Sequence, residues 1–165
     1  MGQHQSVNIR QISRNRAEQV GYYRFLENKN VTVSELIPSL SDHCQQQVEG
    51  RHILALSDST EINLQSHSGR LKPEQLGVVG NNTDVGFYLH PTLVLDSESG
   101  FPLGVSTVQL WSRDLEHQNK YERQYQNLPI EQKESYKWLA SAECSQRCLS
   151  SGGARMVTHS RRSRK

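Results

Sequence analysis

Long hydrophobic runs are missing from these 165 residues. No uninterrupted apolar stretch approaches the roughly 20 residues that cross a bilayer, which excludes a membrane-spanning helix. The opening residues Met1 to Ser6 lead into polar sequence without an apolar segment of the kind that directs secretion, so a cytoplasmic location is expected. Cysteine is scarce: Cys44, Cys144 and Cys148 form an odd set that reads as reduced thiols. Cys144 and Cys148 stand one helical turn apart and His159 follows, but the spacing fits no structural zinc pattern and a fourth ligand is not evident. Acidic residues run out altogether after Glu143. Apolar residues make up 34% of the chain, enough for a modest core. Gly77-Val78-Val79-Gly80 lacks the Gly-Lys-Ser/Thr that completes a phosphate loop. No internal repeat is present.

The net charge of +2 is unevenly spread. Arg155, Arg161, Arg162, Arg164 and Lys165 lie in the last eleven residues, with no acid among them. Without those five cations the remainder carries a net charge of −3. A second basic excess lies near the start, where Arg10, Arg14, Arg16 and Arg24 face Glu18 alone. Such an excess can meet phosphates, and a solvated helix surface accounts for it equally well.

Two regimes of patterning divide the chain. The first fifty residues read as short helices. Ala17, Val20, Tyr23 and Leu26 recur within a helix over 8–28, and Asn28-Lys29-Asn30 marks a turn. Thr32 to Glu35 fits a capping box opening a second helix, which Pro38 disturbs or ends. Ser41 can cap a third, running to Gly50. Residues 52–58 then form a near-continuous apolar run, as expected of a strand covered on both faces, with Ile62 and Leu64 extending it. Residues 65–85 read mostly as loop. Strands follow over Phe87 to Leu95 and Leu103 to Trp111, paired as a hairpin across Asp96 to Gly100. Residues 114–149 return to helical sequence, broken at Pro129. Lys133 to Leu149 is the better helix, with Tyr136, Leu139, Ala140 and Cys144 on one side. Ala154 to His159 begins a fourth strand.

Asp58 stands at the mouth of the first strand. A strand-end Asp is commonly a loop cap; it is also a place from which a carboxylate can hold a metal ion. Glu61, three residues on, falls on the opposite strand face and does not pair with it. Asp84 and Asp96 occupy a loop and a turn, where Asp is expected in any case. His90 reads as a core or rim histidine, and Trp111 and Trp138 as packing residues.

Three strands, the first ending in Asp, then a helix and the start of a further strand, follow the order of the first half of an RNase H-like core. Specific segments carry a resemblance: Tyr22 to Asn28, Leu56 to Asn63, Gly86 to Thr92, Pro102 through Arg113 and Lys133 to Leu139. They resemble bacterial insertion-sequence transposases of the cut-and-paste Asp-Asp-Glu class, and the likeness runs from about Asn8 to Thr158. The fold class implied is α+β or α/β. A partial helical DNA-binding region over 1–50 precedes an incomplete RNase H-like mixed sheet over 51–159 and a basic tail over 160–165. Asp58 would be the first acid of the triad and a ligand to Mg²⁺ or Mn²⁺. Arg24, with Arg14 and Arg10, would contact the phosphates of transposon-end DNA. In the family the second Asp follows the fourth strand and the Glu lies on a later helix; here the sequence turns to Ser-Arg-Arg-Ser-Arg-Lys instead. That tail reads as out-of-frame translation, and the resulting fragment is expected to bind no metal stably and to lack cleavage activity. The alternative is a non-catalytic fragment that occupies transposon ends or interferes with a full-length copy. A small nuclease using different acids would need a second carboxylate beside Asp58, and the alternating positions there offer none. The setting implied is the bacterial cytoplasm, at the nucleoid when DNA is bound.

Overall fold

A computed structural model describes residues 6–115 and 127–151, and the backbone of 155–159. The charged stretch 116–126 and the basic tail 160–165 lie outside the described residues. Two compact units divide at Ile37 and Pro38.

The first unit is helical. Instead of one helix over 8–28, α1 (Ile9–Ile12) and α2 (Arg16–Glu27) are separated by Ser13 to Asn15. Each has its own asparagine cap: Asn8 accepts from the Arg10 amide and Asn15 from the Glu18 amide. Asparagine competes with the helical backbone for hydrogen bonds, which explains the interruption. No residue of α1 or α2 is buried.

Helix α3 (Val33–Gln47) crosses the division, and Pro38 neither ends nor restarts it. The Thr32 amide donates to the Glu35 carboxylate at 3.4 Å, one half of the expected capping box. An interior proline forfeits one helical bond, at a cost of about 3 kcal/mol. Burial downstream offsets that cost, since Cys44 on this helix and Val48 just after it are both fully buried. Ser41, expected as a cap, instead donates its hydroxyl to the Ser106 carbonyl at 2.8 Å. The second half of α3 therefore belongs with the sheet.

The second unit is mixed α/β, with the sheet built around one long strand. Strands β1 (His52–Ser57) and β2 (Thr60–Asn63) pair antiparallel with β4 (Asp84–Asp96), and β5 (Pro102–Trp111) pairs with it along the other edge. Strand β6 (Arg155–His159) adds to the far side of β1 in parallel, with His52 level with Arg155 and Leu56 level with His159. The stretch 65–85 is not simply loop: it contains α4 (Pro73–Leu76) and a two-residue strand β3 (Val78–Val79) against the start of β4.

One sheet face is covered by α3 and by α5 (Tyr136–Ser151). Its apolar core comprises Cys44, Val48, Ile53, Val94 and Leu149, with Leu103 packed against them. Gly104 is needed there: a Cβ would lie 2.9 Å from the Cys44 Cβ. The buried side of α5 differs from the expected one. Ser141, Ser145 and Leu149 face inward, while Leu139 is 49% exposed and Cys144 also lies outside. Small hydroxyl residues let the helix sit close to the sheet, where strand hydroxyls supply their partners. The opposite face leaves Leu56, Leu93 and Leu110 exposed. No helix among the described residues is long and apolar enough to cross a membrane.

Candidate functional site

Asp58 occupies the exposed link between β1 and β2. Those two strands hold a single register against β4: Ser57 lies level with Thr92, and Thr60 with Leu89. Asp58 is therefore level with Pro91, and Ser59 with His90. Proline has no amide hydrogen, so the ladder loses a donor at this point. Pairing between β4 and β5 continues through Pro91 and Val108, so the interruption falls on the Asp58 side. Side chains bridge the gap from both ends. The hydroxyls of Ser57 and Thr92 meet at 2.7 Å, and Ser59 Oγ lies 2.8 Å from His90 Nδ1. The Asp58 carboxylate accepts the Ser59 amide at 2.8 Å, closing the link on itself.

His90 is fully buried beneath this link. Its ring meets Trp138 edge-on at 4.7 Å between centroids and lies 6.3 Å from Trp111, tilted. Burial holds its pKa below the ordinary 6.5, and the negative charge of Asp58 opposes that shift. His90 Nε2 and Trp111 Nε1 are buried without a hydrogen-bond partner.

A charged network adjoins the aromatic group. Arg113 grips Glu134 through two hydrogen bonds, 2.7 and 2.9 Å, and also donates to Asn82 Oδ1 at 3.0 Å. Its guanidinium lies 5.0 Å from the ring centre of Tyr88, which stacks on Trp111 at 5.4 Å. On the same indole, Lys137 places its ammonium 3.9 Å from the ring centre. Burial pushes Lys137 down to about 8; Glu134 pulls it back up and Arg113 adds to the fall. These residues are scattered along the sequence between Asn82 and Trp138. A signal was present in their spacing: Tyr88, His90 and Thr92 alternate on one strand face, while Glu134, Lys137 and Trp138 recur at helical intervals.

The expected site residues fall into separate settings. Glu61 is level with Tyr88, in the row of alternating residues that includes Ser57 and Ser59. Asp84 accepts from Asn63 at 2.9 Å, and Asp96 caps the turn after β4 through Glu98 and Ser99. Among the described residues no group of three His, Cys, Asp or Glu could hold a metal ion. One exposed carboxylate does not fit Mg²⁺ or Mn²⁺, which require several fixed oxygen ligands. In the first unit, Arg10 lies on α1 and Arg24 in the last turn of α2, both exposed. Arg14 stands between the helices, paired with Glu18 at 3.0 Å. The Glu18 hydrogen bond and charge raise the Arg14 pKa, and Arg14 lowers that of Glu18 in return. No protein-family model matches the chain, and no curated protein matches it either.

Proposed function

We propose that this chain carries the first part of an RNase H-like transposase core, with Asp58 as the first of the three acids that DNA cleavage and strand transfer require. One observation carries the reading. Strand β6 runs parallel beside β1, the strand leading to Asp58, so an acid placed after β6 would stand at the same end of the sheet. Phosphodiester cleavage by two cations roughly 3.5–4 Å apart needs carboxylates converging from neighbouring strands. Asp58 supplies one, and the residues that follow His159 here contain no acid. These 165 residues accordingly do not catalyse the reaction by themselves.

The test has two arms. Coding DNA beyond codon 159, read in the other two frames, should contain an Asp-Arg-Glu-like motif and later a Tyr–Arg–Glu–Lys signature. Frames without them would remove the ancestry. Purified protein should leave end DNA uncut with Mg²⁺ or Mn²⁺, whereas a chain restored to the acid-bearing frame should cut it and lose that activity on Asp58→Ala. Cleavage by the present chain, abolished by the same substitution, would overturn the inactive reading.

A non-catalytic role at transposon ends is the second reading. Arg24 is exposed between Tyr23 and Phe25, themselves 44% and 50% exposed, so charge and aromatic surface adjoin on α2. Phosphate contacts give affinity that falls with salt. A salt-sensitive gel shift weakened by Arg24→Ala supports this role, and a shift indifferent to the substitution counts against it.

A further inference from the structure

We infer that His90 is the positioning residue for Asp58, acting through Ser59 as a side-chain clamp across the gap left by Pro91. The inference uses the preceding reading only in naming Asp58 as an acid of interest; the clamp itself stands on geometry.

Strands β1 and β2 are one strand by register, and they part only where β4 presents a residue without an amide hydrogen. An unpaired strand segment at the surface opens readily, because no ladder bond holds it. Here Ser57–Thr92 and Ser59–His90 stand immediately on either side of Asp58, at 2.7 and 2.8 Å. The Ser59 bond is the more consequential, because the Ser59 amide is also the donor to the Asp58 carboxylate. Holding Ser59 fixes the backbone that orients Asp58.

The surroundings of His90 select how the bond is made. Nε2 has no conventional partner and lies among aromatic rings. A ring N–H gains weak attraction from a π face, whereas a lone pair there gains nothing. The proton therefore resides on Nε2, and Nδ1 accepts from the Ser59 hydroxyl. This tautomer needs a neutral ring. The charge of Asp58 in the strand link favours its protonation. Lys137 of α5 lies over Trp111, and Glu61 stands two residues beyond Ser59 along the row. A protonated ring carries a hydrogen on Nδ1 and donates it to the Ser59 oxygen instead, so the link survives protonation with its direction reversed.

Hydrogen exchange at the Ser59 amide, followed by NMR on the full chain, reads the clamp directly. Expressed as protection factors, His90→Phe should lose at least tenfold at Ser59 while Ile53 and Val94 keep theirs. His90→Asn, whose side-chain oxygen can take the place of Nδ1, should restore most of the loss. An unchanged Ser59 in His90→Phe, or no rescue by Asn, would each overturn the clamp. Should His90→Phe unfold the whole chain, Ser59→Ala, which leaves the ring in place, must produce the same local loss at residue 59, and a protected amide there refutes the proposal. Mn²⁺ separates this inference from the functional one. Absence of paramagnetic broadening at Asp58 in an acid-restored chain sinks the metal reading and leaves the exchange result standing.

Discussion

Ser106 on β5 and Ser145 on α5 share a 2.6 Å hydrogen bond at a point where both side chains are fully buried. Beside it, Thr92 and Ser141 meet at 3.0 Å. The contact between helix and sheet is thus made largely by hydroxyls, with the apolar cluster at one end. Two substitutions at Ser145 separate polarity from volume. Ser145→Ala leaves Ser106 with only a 3.4 Å approach to the Thr92 carbonyl and should cost about 1–2 kcal/mol. Ser145→Leu forces the helix away from the sheet and should cost at least as much, typically about 1–3 kcal/mol for overpacking and more where a hydroxyl is also stranded. Urea denaturation measures both, and a stable Leu variant would show that the helix is not held close.

That arrangement marks where the sequence was legible and where it was not. Strands announced themselves, because Ile53 and Ala55 or Leu93 and Leu95 alternate within apolar runs bounded by glycine and aspartate. The face of α5 did not. A search for apolar periodicity selects Leu139 and Cys144, whereas the buried positions are serines whose partners lie in distant strands. Pro38 was misleading for a related reason: a local rule ends the helix, and burial at Cys44 and Val48 keeps it. At the candidate site, Asp58 could be picked out from its strand-end position. The pairing of Ser59 with His90 could not, since it follows from register across 31 residues.

Pro91 offers a direct handle on the strand break. Pro91→Thr returns an amide hydrogen opposite Asp58 and suits an extended backbone. The expected outcome is a continuous strand from His52 to Asn63, seen as slower exchange at Asp58 and Ser59 by about two- to tenfold, one restored ladder bond being worth roughly 0.5–1.5 kcal/mol. Unchanged exchange would show that the interruption has another cause.

Asp96 should dominate the acid response of the turn after β4. The Ser99 amide and hydroxyl donate to it at 2.9 and 2.8 Å, and Arg51 and the Glu98 amide add to these. Together they bring its pKa down to about 2, against an ordinary 3.8. A carboxylate depressed in the folded state stabilises above its unfolded value, and that contribution is lost as pH falls through the folded one. Wild type should therefore lose stability between pH 3.8 and about 2, and Asp96→Asn should show a flatter profile over that interval. Parallel acid titrations followed by circular dichroism check this, and coincident profiles for the two proteins would refute the assignment.

Lys137 gives the opposite end of the pH scale. Its ammonium rests on the Trp111 ring, and burial sets its pKa at about 8 rather than 10.5. Unfolded chains bind more protons than folded ones between those values, so this residue makes stability rise with pH across that window. Replacing it by Met should raise stability near pH 7 and remove its share of the rise, because the charge that must be desolvated is gone while the stem still covers the indole. Glu134→Gln should move the Lys137 midpoint below 8, since Glu134 is the group that favours the charged form. The carbon next to the ammonium reports the midpoint in wild type and Glu134→Gln through its NMR shift, and urea denaturation across pH reads the Met variant. A midpoint near 10.5, or one that rises when Glu134 is neutralised, would mean that the ammonium lies in water rather than against the ring.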